Sequence, residues 1–139
     1  MTDQSVPANE SRLRQHPADR AISASQVLDL AAALEQLRSE DHPAPHGHRQ
    51  VTVFHQTPVT MVLFAFDAAG VLPDHVAQGV VIIHVLEGAL GIQVADAEHV
   101  LEQNQVMVLN PGVAHSVRAS MPSAMLLTIN LSGEKNRQR

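Results

Sequence analysis

The chain has 139 residues, 45% of them hydrophobic and 17% charged, with a formal net charge of −5 and no cysteine. That length suits one domain with its own core, the composition excludes a disordered or collagen-like chain, and the missing thiols exclude disulfides, thiolate metal sites and cysteine nucleophiles. An acidic balance with three Phe and no Tyr or Trp offers little to neutralise phosphates or stack bases, so nucleic acid is not expected as a partner.

No apolar run approaches the ~18 residues that would span a bilayer. Met1 to Gln15 is polar and lacks the apolar core of a signal peptide, so the expectation is a soluble, cytoplasmic protein with no membrane partner. Residues 1–22 read as a flexible arm and residues 23–50 as a helix followed by a connector. The helix follows from the apolar stripe Val27, Leu30, Ala31, Leu34 and Leu37, ending near Ser39. Ser25 caps its start, or Asp29 does if Val27 and Leu28 are extended. Asp41 to Gln50 (DHPAPHGHRQ) has two prolines, a glycine and no apolar period, which marks a connector. Its three histidines, His42, His46 and His48, read as part of a solvated linker, with adventitious nickel or zinc binding as the alternative. His16 and His99 carry no pattern and are expected at the surface.

All but two of the valines lie at or after Val51, and β-branched residues suit a pleated, half-buried surface. Residues 51–132 therefore read as the β domain. Its predicted strands are Val51–Gln56, Val59–Asp67, Val80–Leu86, Ala89–Val94, His99–Leu101, Val106–Leu109, Ser116–Ala119 and Ala124–Leu131. Closely spaced strands with no helix between them imply antiparallel pairing, because parallel strands need long crossovers. Glu87-Gly88 reads as a tight hairpin and Asn110-Pro111-Gly112 as a second turn. Two runs, Thr60–Phe66 (TMVLFAF) and Ala124–Leu131 (AMLLTINL), lack the alternation of a half-exposed strand, so both of their faces should be covered. The barrel interior covers one; the other needs the helix or a second subunit, and a homodimer is expected. Residues 133–139, including the charged Glu134 to Arg139, read as a disordered, solvated tail.

From Gly70 to Ala119 the chain reads GVLPDHVAQGVVIIHVLEGALGIQVADAEHVLEQNQVMVLNPGVAHSVRA, which resembles the small single-domain cupins, or RmlC-like proteins. His75 takes the place of the first His in the family's first motif, and VLEG (Val85 to Gly88) its ending. Gly112 and His115 fall in register with the second motif, and fifteen residues, Ala89 to Gln103, separate the two. The resemblance implies an all-β fold: an antiparallel double-stranded β-helix, the cupin barrel or jelly roll, here with a short N-terminal helix. It implies a metal at four ligand positions, of which this sequence keeps His75 and His115. Ala77 stands where the family has its second His, and Val81 where it has its Glu. Asn104, Asn110 and Ala119 replace a Gly, a Pro and an Asn of the motifs, while Gly70 and Pro111 each sit one place from their expected positions.

Metal sites usually take three or four protein ligands, so His75 and His115 would hold a divalent Fe, Mn, Ni or Zn only weakly. A third ligand would have to be His55, Asp74 or His84. Strand parity disfavours His84: if Val81 points inward, Ile83 and Val85 do too and His84 points out. With two ligands replaced by Ala77 and Val81 the pocket becomes more apolar. Phe64, Phe66, Val81, Ile83 and Met107 would line it, and His75 and His115 would be its few polar groups, as in many small-molecule sites. The expected function is small-molecule binding in the barrel. The alternatives are a metal-dependent enzyme of the dioxygenase or isomerase type with an unrecognised third ligand, and an interaction module with a vestigial pocket. No Ser/His/Asp arrangement, phosphate-cradling glycine loop or acidic dyad is visible, so hydrolase and kinase readings have no support.

Overall fold

The computed structural model describes residues 24–131. The arm at 1–22, His16, and the tail at 133–139 lie outside the described residues. Helix α1 (Leu30–Arg38) starts where Asp29, in extended conformation, accepts a hydrogen bond from the Ala32 N–H at 3.0 Å. That side chain satisfies one of the donors a helix start leaves open. Val27 lies before the cap and is 93% exposed, so the stripe begins at Leu30, and of the two caps weighed from the sequence Asp29 is the one used. Ser39 ends the helix, its hydroxyl donating to the Gln36 carbonyl at 2.8 Å.

Nine strands follow: β1 (His48–Gln56), β2 (Val59–Phe66), β3 (Val71–His75), β4 (Val80–Glu87), β5 (Ala89–Val94), β6 (Ala97–Glu102), β7 (Val106–Leu109), β8 (His115–Ala119) and β9 (Ser123–Asn130). All pairs are antiparallel, in a five-stranded sheet ordered β1-β2-β9-β4-β7 and a four-stranded sheet ordered β3-β8-β5-β6. The two pack face to face as the expected jelly roll. No helix is long and apolar enough to cross a membrane, among the described residues.

Three sequence readings need correction. β3 has no counterpart among the eight expected strands, because Pro73 and Asp74 interrupt its apolar pattern; it is an edge strand, irregular between Leu72 and His75, where a proline costs no ladder hydrogen bond. Glu87-Gly88 is not a hairpin: β4 belongs to the first sheet and β5 to the second, so Gly88 is the corner where the chain changes sheets. β1 starts at His48, so the last three residues of the expected connector are already paired in a strand.

Strand parity places the core. Along β4, Val81, Ile83 and Val85 are buried while Ile82, His84 and Leu86 are half-buried, as period-2 alternation requires. The inward set joins Leu90 and Ile92 of β5, Val117 of β8, and Met125 and Leu127 of β9 in the barrel interior. A second, smaller core lies outside the barrel, where Leu34 and Leu37 of α1 cover Leu63, Ala65 and Ala124. The helix thus covers the outer face of TMVLFAF and AMLLTINL at those positions. The Arg38–Glu87 ion pair, 2.9 Å long, also ties α1 to β4, but both side chains are substantially exposed and it adds little. Leu37→Ala is expected to cost about 2–5 kcal/mol, since the side chain is fully buried and its removal leaves a cavity over the sheet. Urea unfolding checks this, and a loss below about 1 kcal/mol would show that α1 contributes little to the fold.

Candidate functional site

The two histidines kept from the cupin motifs meet. His75, at the end of β3, is the register partner of His115, at the start of β8, and their ring centroids are 4.1 Å apart at 59°. The bulge between Leu72 and His75 re-aims the β3 residue, a common use of bulges near binding sites. Both sit at the barrel end that also holds Leu109, Val81, Ile129 and the β1–β2 turn, as the pairings Val81↔Leu109, Val81↔Ile129 and Thr60↔Ile129 place these together.

Each ring is oriented by a backbone carbonyl two residues upstream. His75 Nδ1–H donates to Pro73 O at 3.1 Å and His115 Nδ1–H to Val113 O at 3.3 Å. A carbonyl only accepts, so in the neutral rings the proton is on Nδ1 and each Nε2 carries a lone pair. His115 is 1% exposed. Its Nε2 is shut off from water and has no hydrogen-bond partner, a state that costs a buried polar atom about 1–3 kcal/mol.

The remaining expected site residues divide between the two ends. Val81 lies in the layer nearest the histidine pair, and Ile83, opposite Met107 and Leu127, in the next. Met107 is half-buried against the barrel core and also borders a shallow outer groove with His99, Val100 and Val106. Phe64 and Phe66 point inward but sit toward the far end of β2, where their rings stack at 6.0 Å and each lies 5.6 Å from the His48 ring. They are grouped with His48 and not with His75 and His115, because Phe66 pairs with His48 and with Ser123 at the opposite rim. His48, read from the sequence as linker, is thus a strand residue on the Phe64 and Phe66 face, and its polar same-face neighbours Gln50 and Thr52 gave no signal of this. Of the candidate third ligands, His55 stands at the same barrel end but bonds Thr60 Oγ1 at 2.8 Å. Asp74 is exposed, and His84 lies on the outer face of β4.

A family model for the AraC-like ligand-binding domain matches residues 61–135, more than half of the chain. The chain belongs to the AraC-like ligand-binding domain family. Solved structures similar to this AraC-like domain include a conserved protein of unknown function from Streptococcus pyogenes, 19% identical, covering 78% of this chain and 90% of that one at a TM-score of 0.62. An RmlC-like cupin from Desulfovibrio desulfuricans is 26% identical over 67% of this chain and 91% of its own, with a TM-score of 0.59. Another from Shewanella frigidimarina is 18% identical over 66% and 82%, also at 0.59. No curated protein matches the chain. The cupin fold is therefore established together with a ligand-binding family.

The cupin resemblance implies a metal, and the donor set of the AraC-like domain does not fit one. Ala77 and Val81 offer no donor atom, and among the described residues no three His, Asp or Glu side chains form a group able to hold an ion. Two imidazoles fall short of the three protein ligands a catalytic centre uses, so no chemical step is assigned to a metal.

Burial pushes the His115 pKa below its ordinary value of 6.5; the Val113 carbonyl opposes this, His75 adds to it and Asp74 opposes it. A histidine with a depressed folded pKa binds fewer protons folded than unfolded, so stability is fully present above pH 6.5 and falls as pH drops toward the folded value. Urea midpoints of the AraC-like domain should accordingly decline below pH 6.5, and replacing His115 with a non-titrating residue should flatten that part of the profile. An unchanged slope would show that His115 is not the group responsible.

Proposed function

We propose that this AraC-like domain binds a small neutral molecule at the barrel end where His75 and His115 meet, accepting hydrogen bonds from ligand hydroxyl or amide N–H groups. The observation that carries this reading is the buried, unpartnered Nε2 of His115. A lone pair sealed from water is a poor arrangement for the free protein and a good one for a complex, since a ligand donor satisfies it without displacing a strong water bond. The Nε2 of His75, on a ring in contact with the first, supplies a second acceptor. Apolar Ala77 and Val81 at the replaced ligand positions favour retention of a neutral ligand over activation of water. His75 is half-buried and is the ring past which a ligand would reach His115.

The metal-dependent dioxygenase or isomerase reading has less support, because its third ligand has no candidate among His55, Asp74 and His84. Thermal unfolding against a panel of hydroxyl-rich neutral compounds, carboxylates and divalent metals tests the choice. A neutral ligand at a hundredfold excess over its Kd should add about 2.7 kcal/mol, roughly 10 °C in midpoint. Stabilisation by carboxylates alone, or a stoichiometric metal that survives dialysis against chelator in tag-free protein, would overturn the proposal.

A further inference from the structure

We propose that a second copy of this chain packs on the outer face of the five-stranded sheet, on the part that α1 leaves open, and forms a twofold dimer. One row of side chains carries the inference. Phe54 pairs with Met61, Met61 with Thr128, Thr128 with Ile82 and Ile82 with Val108, a line that crosses all five strands. Met61 is two residues from Leu63, which lies under α1, so strand parity puts the row on the outer face. The surface is outside the barrel and stands or falls separately from the ligand site inside it.

Four of the five row residues are apolar, and they lack a home in the folded chain. Among the described residues, Phe54, Met61 and Ile82 join neither the barrel core nor the smaller core under α1, and Val108 is 61% exposed. A contiguous apolar patch of this kind marks an interaction surface. Charge says what fits it. The row and the rows on either side hold no Asp, Glu, Lys or Arg, whereas the whole chain has a net charge of −5. A charged partner finds nothing there to pair with, while two acidic copies can meet without setting like charges opposite each other. The uncharged zone, three rows deep across five strands, measures about 24 Å by 20 Å at ordinary strand spacings. That footprint approaches the roughly 600 Å² per partner at which specific dimers begin.

The position of α1 sets the orientation. The helix stands on the same face, over Leu63 and Ala65, two to four residues along β2 from Met61. At about 10 Å thick it would collide with a partner sheet packed at the usual distance of about 10 Å. A second copy can therefore lie flat on the row only when turned end for end, with each helix beyond the end of the partner's sheet. The twofold axis then runs along the row, and each row residue meets its own twin. Because β9 is the central strand, Thr128 lies at the middle of the contact, flanked by Met61 and Ile82.

The test is light scattering on a sizing column with the full chain and two oppositely charged variants. For an interface of this size the wild type should have the mass of two chains at about 100 µM and of one chain below about 1 µM. Ile82→Glu and Ile82→Lys should each weaken association about a hundredfold or more, since each sets like charges against each other. An equimolar mixture of the two should dimerise again, a recovery that requires residue 82 to face its own twin and that a lost fold cannot produce. Val108→Glu and Val108→Lys, at a position already exposed, repeat the experiment should the residue 82 variants unfold. A wild-type monomer at about 100 µM, as expected if residues 1–23 of the same chain covered the row, would overturn the proposal. So would a dimer that the single variants leave intact, or single variants whose mixture stays monomeric.

Discussion

Gly88→Val is expected to remove about 3 kcal/mol or more of stability, a large part of the 5–15 kcal/mol typical of a domain. Gly88 turns the chain from β4 in one sheet to β5 in the other at φ +79, a conformation that a β-branched residue adopts only under strain. Space is the second obstacle. An added Cβ would meet the Ser123 side chain and stand 2.7 Å from the Pro122 carbonyl oxygen. Ser123 has little freedom to yield, since it is fully buried and its hydroxyl bridges the Ala89 N–H and the carbonyls of Ala89 and Met121. Gly88→Ala should fall between wild type and Gly88→Val. Urea midpoints measure both, and a valine variant within about 1 kcal/mol of wild type would mean that the corner is far more compliant than its packing suggests.

The second large effect is expected at His115, with opposite signs for the free and the liganded protein. Leucine is close to histidine in size and carries no polar atom, so His115→Leu removes the buried, unpartnered Nε2 and adds apolar contact to the neighbouring core. The free protein should be as stable as wild type or gain up to about 1–3 kcal/mol, offset in part by the lost bond to Val113 O. Stabilisation by a bound neutral ligand should disappear. Such an exchange of stability for function is common where a site keeps a polar group in an apolar setting. Thermal midpoints with and without ligand separate the two effects. A variant that unfolds several degrees earlier while keeping its ligand response would refute the assignment of His115 as the acceptor.

The parts of this structure legible in the sequence are those governed by short-range periodicity. Alternation along β4 correctly turned Val81, Ile83 and Val85 inward and His84 outward, and the 3.6 period located Leu34 and Leu37 on one helical face. Features that depend on long-range pairing were harder to read. Pro73 and Asp74 hid β3, because a proline argues against a strand unless that strand is known to lie at an edge. Glu87-Gly88 announced a turn, but nothing local says whether the strands on either side share a sheet. The meeting of His75 and His115 followed from motif register. The position of Phe64 and Phe66 near His48 did not, since being inward on β2 leaves open which end of the barrel a residue faces. The start of β1 gave no signal either: a Pro/His segment looks solvated until Gly47 is seen to pack against Gly70 and His48 to open a strand.

The five-stranded sheet has β9 at its centre, between β2 and β4, and this sets the order in which the barrel can be completed. During synthesis β2 and β4 both emerge long before their common partner. The inward apolar side chains Val62, Phe64, Ile83 and Val85 must wait in a nascent chain whose two strand edges are open, a condition that invites pairing with other chains. Loop closure between β2 and β9 is correspondingly long and slow. Without Ser123–Asn130, β1-β2 and β4-β7 would be two separate strand pairs, so the five-stranded sheet cannot close before β9 has been synthesised.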